Sequence, residues 1–307
     1  MENFNILWSI LLLTFFSLGN HYDLQGQCPT GNVTLTTQAQ VDNFSTLYPN
    51  CTHLPGSLTI GPSSDIVNLN GLNGLEEIGG GLSIISNIIL EDMSGLSGLN
   101  FIGSKIFVED NQLLQTVNLA LVKSTNLQFI NIHNNPVLIT FHAPEKVPTL
   151  SQSLSIYNNT NLEIITGFDN LNSIGGSFLI SNTKTTEFPD FSGLSFIGGY
   201  IQVNGNSNLE VIDLRNVSSI NMQYISIVSN SSLQAFHAPE HVPSLSQYIS
   251  IYNNTNLETI TGFNNLTSIG SSFLISNTIT TEFPDFSGLS FIGGYIQVNG
   301  KFKFRSD

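Results

Sequence analysis

Charged residues are scarce in this chain, since only 10% of its 307 residues are Asp, Glu, Lys or Arg. The shortage falls mainly on cations: 8 Lys and Arg stand against 22 Asp and Glu, which gives a formal net charge of −14. Nucleic-acid binding needs a basic face that neutralises phosphates, so this composition argues against that function class. The excess carboxylates are expected to be solvated groups that keep the protein soluble.

Long apolar runs are also scarce. The exception, Ile6–Gly19, is interrupted only by two serines and one threonine. It is shorter than the roughly 20 residues of a membrane-spanning helix, so it indicates a signal peptide at residues 1–19. Ser17 and Gly19 fit a small-residue cleavage pattern, while the start of the chain carries Glu2 and no Lys or Arg. We expect an exported protein, secreted or associated with a cell surface, with no transmembrane segment.

Groups that could perform catalysis are few. The chain has no Gly-x-Ser-x-Gly nucleophile motif. His142 and His237 lie in identical Phe-His-Ala-Pro-Glu segments with Glu145 and Glu240 nearby. A His–Glu pair can serve acid–base chemistry, but the proline-bearing turn and its duplication favour a structural corner. We therefore expect no enzyme, no catalytic residue and no cofactor.

Paired carboxylates occur twice in the segment Glu-Phe-Pro-Asp-Phe, as Glu187 with Asp190 and as Glu282 with Asp285. Such pairs can bind calcium weakly, but solvated turn residues are the interpretation we favour, and no metal site is expected. Some β-helical enzymes cleave polysaccharides with clustered acidic ligands and an Arg or Lys base. With only 8 Lys and Arg in the chain, this remains the third-ranked alternative.

Asparagines, in contrast, recur along the chain at spacings of 23 or 24 residues. A fixed period of this size is typical of a solenoid, in which each coil stacks on its neighbours. The asparagine amide both donates and accepts hydrogen bonds, so it can satisfy backbone groups at a turn and bond to asparagines in adjacent coils. We interpret this column as structural. Its members are Asn87, Asn111, Asn135, Asn159, Asn182, Asn206, Asn230, Asn254 and Asn277.

Short strands accompany the asparagines. Eleven pairs of apolar residues at i and i+2, from Leu58/Ile60 to Ile296/Val298, each place two side chains on one face of a strand. That face must point inward. The pattern predicts an all-β parallel β-helix, or solenoid, of about eleven coils of 23–24 residues with a short N-terminal capping helix.

The cap is predicted from the two cysteines, Cys28 and Cys51. An even number of cysteines in an exported chain suggests a disulfide. The cysteines enclose a strand-like segment at Val33–Thr36 and a helix-like segment at Thr37–Leu47. We expect this unit to cover the open edge of the first coil, which would otherwise favour aggregation.

A larger repeat is superimposed on the coils. Residues 141–205 align with residues 236–300 at an offset of 95, with 9 differences in 65 positions. Such similarity indicates a recent duplication of four coils. Duplication extends a surface more naturally than it duplicates a single catalytic centre.

Six tyrosines occupy outward positions on the predicted strands, and three of them, Tyr200, Tyr224 and Tyr248, lie on consecutive coils. Exposed aromatic side chains in a row can bind a sugar ring or a protein partner. Alternatively, the rings stack on each other and stabilise the sheet. We take all six as candidate ligand-binding residues: Tyr157, Tyr200, Tyr224, Tyr248, Tyr252 and Tyr295.

Four stretches of the sequence resemble the receptor L-domain family, the leucine-rich-repeat-like β-helix of insulin- and EGF-receptor ectodomains. They are Gly31–Asp42, Cys51, Leu54–Ile60 and the Leu-x-Ser-Ile-Gly-Gly-Ser-Phe-Leu-Ile-Ser-Asn pattern at 171–182. The resemblance covers roughly residues 28–300. It implies a right-handed β-helical solenoid with a ligand-binding or adhesive extracellular role.

The chain departs from the animal receptors of this family. It has more coils than a single L domain and lacks a cysteine-rich module, a membrane span and a kinase, so receptor signalling is not implied. It looks closer to L-domain-like surface proteins of microbes, including fungal cell-wall proteins.

The predicted organisation is a signal peptide at 1–19, a disulfide-containing cap at 20–56, a solenoid at 57–300 and an atypical tail at 301–307. Lys301 stands where the duplication predicts asparagine, so a truncated end is expected. The predicted function is an extracellular, non-catalytic recognition or adhesion module for a protein or glycan ligand. The alternative is a structural spacer of the cell surface or cell envelope.

Overall fold

A computed structural model describes residues 28–281 and 284–299. The predicted signal peptide and the tail at 301–307 lie outside the described residues.

A long parallel β-sheet runs along the protein, with one strand from each coil. Each strand pairs in register with the equivalent strand of the next coil, as Leu154 does with Phe178 and Ile156 with Ile180. We number the coils by these strands, from coil 1 to coil 12 in the described region. The strands are Val33–Leu35, Leu58–Ile60, Leu82–Ile85, Lys105–Glu109, Phe129–His133, Leu154–Tyr157, Phe178–Ser181, Ile201–Asn204, Ile225–Val228, Ile249–Tyr252, Phe273–Ser276 and Ile296–Asn299.

The predicted inward pairs form the core. In coils 2 to 11, the first and third residues of the apolar pattern are buried, and the residue between them is half-buried, except in coil 9, where Ser226 is buried as well. Period-2 alternation of strand side chains produces this division. The sequence therefore predicted the all-β parallel solenoid correctly, and the described region has one more long-sheet strand than the eleven expected because Val33–Leu35 pairs with Leu58–Ile60.

The remaining sides of the coils carry shorter sheets and two 3-10 turns, at Asn70–Leu72 and Ser94–Leu96. Three short sheets are formed by strands that precede the long-sheet strands in their coils. The strands of the first are His53–Leu54, Glu77–Ile78 and Phe101–Ile102, and those of the second are Thr149–Leu150, Ser173–Ile174 and Phe196–Ile197. The third contains Ser244–Leu245, Ser268–Ile269 and Phe291–Ile292. Two others follow the long strands, with strands at Thr116–Asn118, Thr140–His142 and Ile164–Thr166; and Val211–Asp213, Ala235–His237 and Thr259–Thr261.

The N-terminal unit forms as predicted. The helix Gln38–Leu47 starts at Thr37, which forms a capping box with Gln40. Val41 and Phe44 on this helix are buried against the first coils. The described helices include none that is long and apolar enough to span a membrane.

A disulfide joins Cys28 to Cys51, whose Cα atoms are 4.7 Å apart. The bond joins the segment that precedes the first long-sheet strand to the segment that follows the helix. Cys51 itself is buried in the core.

Seven of the nine predicted asparagines lie fully buried in one column. Asn135 shows the pattern. Its Nδ2 donates to the carbonyl of Val108 in the previous coil at 3.1 Å and to Oδ1 of Asn159 in the next coil at 3.1 Å. Its Oδ1 accepts from the backbone N–H and the Nδ2 of Asn111. One amide thus links three successive coils and satisfies polar groups that water cannot reach.

Asn182 and Asn277 do not belong to this column, which corrects the prediction. Both are exposed, and the buried position is held by Thr183 and Thr278. The hydroxyl of Thr183 donates to Oδ1 of Asn206 at 2.8 Å. The register of the sheet causes this difference. The buried position is the third residue after the second inward residue of the strand. In this coil that inward residue is Ile180, which pairs with Ile156, so the buried position falls on Thr183.

The two displaced asparagines extend a second, outer row of side-chain bonds. Asn182 donates to Oδ1 of Asn158 at 2.7 Å, and Asn277 donates to Oδ1 of Asn253 at 2.8 Å. The non-glycine residues at the positions of this row have φ between 51° and 58°, as at Ser86 and Asn253. Asparagine tolerates this left-handed conformation better than most residues, which explains its frequency here.

The buried column predicts a large cost for Asn135→Ala. The substitution removes the side-chain acceptor of the Asn111 backbone N–H and the bonds that Asn135 donates to Val108 and Asn159, and it leaves a cavity among buried polar groups. We expect a loss of about 2–4 kcal/mol in the free energy of unfolding. Asn182→Gly is the control, because this exposed site has φ +54° and should lose less than about 1 kcal/mol. Urea denaturation followed by circular dichroism measures both. Equal losses would contradict the structural role of the buried column.

The disulfide predicts that the unreduced protein yields one joined peptide containing Cys28 and Cys51. Replacing both cysteines by serine should lower the free energy of unfolding by about 3 kcal/mol, because the unfolded chain regains the entropy of the closed loop. Peptide mass spectrometry and thermal melting check the two parts. Alkylation of both thiols without a reductant would refute the bond.

Candidate functional site

The outer face of the long sheet presents three residues from each coil: the residue before the first buried one, the residue between the two buried ones, and the residue after the second. We call these the first, middle and last outer columns. All six candidate tyrosines fall on this face. Tyr200, Tyr224, Tyr248 and Tyr295 lie in the first column, and Tyr157 and Tyr252 lie in the last.

Three tyrosines of the first column form a continuous stack. The ring centroids of Tyr200 and Tyr224 are 4.5 Å apart with planes at 8°, and those of Tyr224 and Tyr248 are 4.7 Å apart with planes at 13°. The coil spacing of about 4.8 Å in a parallel sheet matches the ring spacing, so the stack follows from the fold. The inner ring faces cover one another, which leaves edges, hydroxyl groups and the two end faces for contact with a ligand.

Two phenols of the stack, those of Tyr224 and Tyr248, have raised pKa values. Burial is the main cause that raises the pKa of Tyr224 and of Tyr248 above the ordinary tyrosine value. The hydroxyl of Tyr224 donates to Oε1 of Gln202 at 3.2 Å. Tyr224 and Tyr248 therefore offer neutral hydroxyl groups along the edge of the stack.

A groove with a volume of about 510 Å³ begins where the stack ends. Ser272 follows Tyr248 in the first column, and its small side chain separates Tyr248 from Tyr295. Tyr252 and Tyr295 are 40% and 61% exposed. None of the described residues that line the groove is charged: Asn204, Ser226, Val228, Tyr248, Ile249, Ser250, Tyr252, Ser272, Leu274 and Tyr295.

The duplication supplies an internal comparison, because coils 6 to 8 repeat coils 10 to 12 at an offset of 95. The only outer-face difference within the aligned segment is Ser153 in place of Tyr248. Outside the aligned segment, His133 occupies the position of Val228. The earlier copy thus lacks one tyrosine wall of the groove.

The two tyrosines of the last column differ because one follows His133 and the other follows Val228 in that column. Tyr157 is stacked on His133 with ring centroids 4.5 Å apart and planes at 6°. Tyr252 lies beside Val228, which has no ring to cover it. The structure therefore brings Tyr248, Tyr252 and Tyr295 together at one groove and places Tyr157 in a separate cluster.

That second cluster lies on coils 4 to 6. Nε2 of His133 is 3.0 Å from Oε2 of Glu109, and the ring of His133 packs edge-on against Phe107 at 5.5 Å. Phe107 also contacts Phe129 edge-on. Burial and the nearby Glu109 carboxylate raise the pKa of Tyr157. Sequence reasoning missed this His–Glu pair, although the 24-residue offset between two strand-final positions signals it.

The sequence pattern favoured a structural corner over a His–Glu pair at His142 and at His237. Nδ1 of His142 lies 2.8 Å from Oγ1 of Thr166, and Nδ1 of His237 lies 2.8 Å from Oγ1 of Thr261. Among the ion pairs of the described residues, none joins either histidine to a glutamate. These histidines stabilise neighbouring coils.

The carboxylates considered for calcium act mainly as turn residues. Asp190 accepts a hydrogen bond from the backbone of Ser192 at 2.8 Å, and Asp285 accepts one from Ser287 at 2.9 Å. These bonds lower the pKa of both aspartates. Glu282 lies outside the described residues. The part of the chain that the structure describes contains no group of three or more His, Cys, Asp or Glu side chains that could hold a metal ion.

A second cavity, of about 520 Å³, lies on another side of coils 7 and 8. It opens where coil 7 contributes Glu187–Pro189 in place of a strand between Ile164–Thr166 and Val211–Asp213. Its one cation, Arg215, is paired with Asp213 at 2.6 Å, which lowers the pKa of Asp213. The charges at this cavity are partly satisfied within the protein, which makes the uncharged groove the stronger candidate.

Comparison with known proteins gives a family match over part of the chain. Residues 50–148 match the model of the family described as receptor L domain. No curated protein and no solved structure matches the chain. The match supports the family resemblance for the strands of coils 2 to 5 and part of the adjoining cap, and this family generally consists of non-catalytic ligand-binding modules. It ends before the groove, whose lining residues lie on coils 8 to 12, and it does not support a microbial subtype.

Proposed function

We propose that this protein is an extracellular, non-catalytic recognition module that binds its ligand on the outer face of the long sheet. The ligand site is the groove lined by Tyr248, Tyr252 and Tyr295. The observation that carries this proposal is an uncharged, tyrosine-lined groove in a protein with a net charge of −14. Secretion or display at a cell surface accords with the family resemblance and with the disulfide.

The scaffold suits recognition because it holds the groove residues in place before a ligand arrives. Each groove residue belongs to a strand, or directly precedes one, and these strands are paired on both sides up to coil 11. The groove therefore needs little ordering on binding, and ordering costs are a main loss in affinity. Tyrosine supplies large contact area with few rotatable bonds, which is why it is common at binding hot spots.

Catalysis is a poorer account of the same residues. The His133–Glu109 pair is the best-placed acid–base pair on the outer face, but the His133 side chain is only 9% exposed. Phe107 and Tyr157 pack against its ring. A substrate could not reach this imidazole without displacing Phe107 or Tyr157. The cluster therefore stabilises the packing of coils 4 to 6.

A structural spacer is the second candidate. The stack of Tyr200, Tyr224 and Tyr248 favours it, because ring contacts between coils stabilise the sheet by about 0.5–1.5 kcal/mol per pair. That role does not account for Tyr252, whose ring extends into the groove region beside Val228 and remains 40% exposed. The groove residues therefore favour recognition, including adhesion between surfaces.

Loss of the groove tyrosines should weaken ligand binding. We expect the double variant Tyr248→Ser, Tyr252→Ser to weaken every specific interaction found with a panel of extracellular protein domains and oligosaccharides by at least about tenfold. Surface plasmon resonance measures the affinities.

Tyr157→Ser is the matched control, because Tyr157 is the repeat counterpart of Tyr252 but is covered by His133. Its variant should keep wild-type affinity. If the double variant binds as well as the wild type, or if Tyr157→Ser alone removes binding, the groove is not the site.

A further inference from the structure

Ser272 creates a slot in the first outer column. Tyr248 lies one coil before it and Tyr295 one coil after it. Strands of a sheet are about 4.8 Å apart, so the two tyrosines are separated by about 9–10 Å along the solenoid. In coils 8 to 10 the same column is filled by stacked rings, with no space between them.

The ring of Tyr248 forms one wall of this slot. Its inner face stacks on Tyr224, with the planes at 13°, so its plane lies across the direction in which the coils stack. Its other face is turned toward coil 11, where Ser272 is too small to cover it. Tyr295 lines the same groove on the far side of Ser272.

The width of the slot selects the thickness of the guest. A guest in van der Waals contact with both walls uses about 3.5–4 Å on each side, which leaves roughly 2 Å for its own skeleton. A flat aromatic ring is thinner than this and would touch only one wall. A puckered pyranose ring is thicker, because its axial C–H and C–O bonds project above and below the mean plane, and these groups fill the remaining space.

The polar groups of the slot point to the same class of guest. Ser250 and Ser272 carry hydroxyls at the groove, and the phenol of Tyr248 can donate a hydrogen bond. Leu274 adds an apolar surface. Because no described lining residue is charged, a charged guest would find no counter-ion there.

We propose that the slot between Tyr248 and Tyr295, above Ser272, binds one pyranose ring of an uncharged saccharide. The C–H faces of the sugar lie against the two tyrosine rings, and its hydroxyl rim contacts the serine and tyrosine hydroxyls. This assignment rests on the proposed recognition function and names the ligand class for the same groove.

The duplicated coils provide a natural variant of the slot. Coils 6 to 8 repeat Ser272, Leu274 and Tyr295 as Ser177, Leu179 and Tyr200, but they have Ser153 where coil 10 has Tyr248. The copy without the second wall should not hold a sugar ring. The variant Tyr248→Ser therefore converts the slot into a form that the chain already accommodates elsewhere.

The test is titration calorimetry of the full chain with uncharged oligosaccharides: hexamers of glucose, mannose and N-acetylglucosamine. We expect at least one of these to bind the wild-type protein at one site. Tyr248→Ser should lower that affinity at least about tenfold. Ser272→Tyr should abolish it, because the new ring fills the slot and makes the tyrosine column continuous.

The Ser272→Tyr variant separates the saccharide proposal from a general aromatic surface. It adds tyrosine, so a flat contact with a protein partner should be kept or strengthened while sugar binding is lost. Ile220→Ser, at a 74% exposed residue outside the strands of the long sheet, controls for loss of surface apolar area and should bind as the wild type does. Thermal melting of each variant confirms that it is folded.

Two results would overturn the assignment in different ways. If none of the hexamers binds, but a protein ligand binds the wild type and is lost with Tyr248→Ser, Tyr252→Ser, the saccharide class is wrong and the recognition function stands. If neither saccharide nor protein binding depends on the groove tyrosines, both proposals fall. Sugar binding that survives Ser272→Tyr would also exclude the slot.

Discussion

The buried asparagine column is the constraint on which the rest of the structure depends. A coil of about two dozen residues turns sharply after each long strand, and its backbone polar groups there are shut off from water. The amide of Asn135 meets this need by joining Val108, Asn111 and Asn159, and the same arrangement recurs along the column. Five of the seven buried amides bond to the coils on both sides, whereas Asn159 and Asn254, which precede Thr183 and Thr278 in the column, bond to the previous coil. The column thus helps to hold the register of the sheet, and the register aligns the outer-face side chains.

The outer face inherits its geometry from that register. Tyrosines in successive coils meet at the spacing of the strands, so Tyr200, Tyr224 and Tyr248 stack without any further device. A small residue in the same column leaves a space of one coil, which is the role of Ser272. The same scaffold therefore forms either a continuous ring stack or a groove, depending on whether a single position carries tyrosine or serine.

The sequence predicted much of the fold because its signals are local. Apolar residues at i and i+2, the 23–24-residue period and the capping helix each depend on a few neighbouring residues. The prediction was wrong at Asn182 and Asn277, because it relied on residue type and did not consider how the strands of neighbouring coils pair. The pairing of Ile156 with Ile180 gives the buried position to Thr183, and such pairing is a contact between coils.

By itself the sequence determined the parallel solenoid, the inward strand residues, the cap and the six outward tyrosines, because side-chain alternation and period are properties of the chain. Only the tertiary structure decided what those tyrosines do. Whether a ring is covered depends on the residue one coil away, as with His133 beside Tyr157 and Val228 beside Tyr252. Ring orientation and free volume arise between coils, so the groove at Tyr248, Tyr252 and Tyr295 could be recognised only after the coils were stacked.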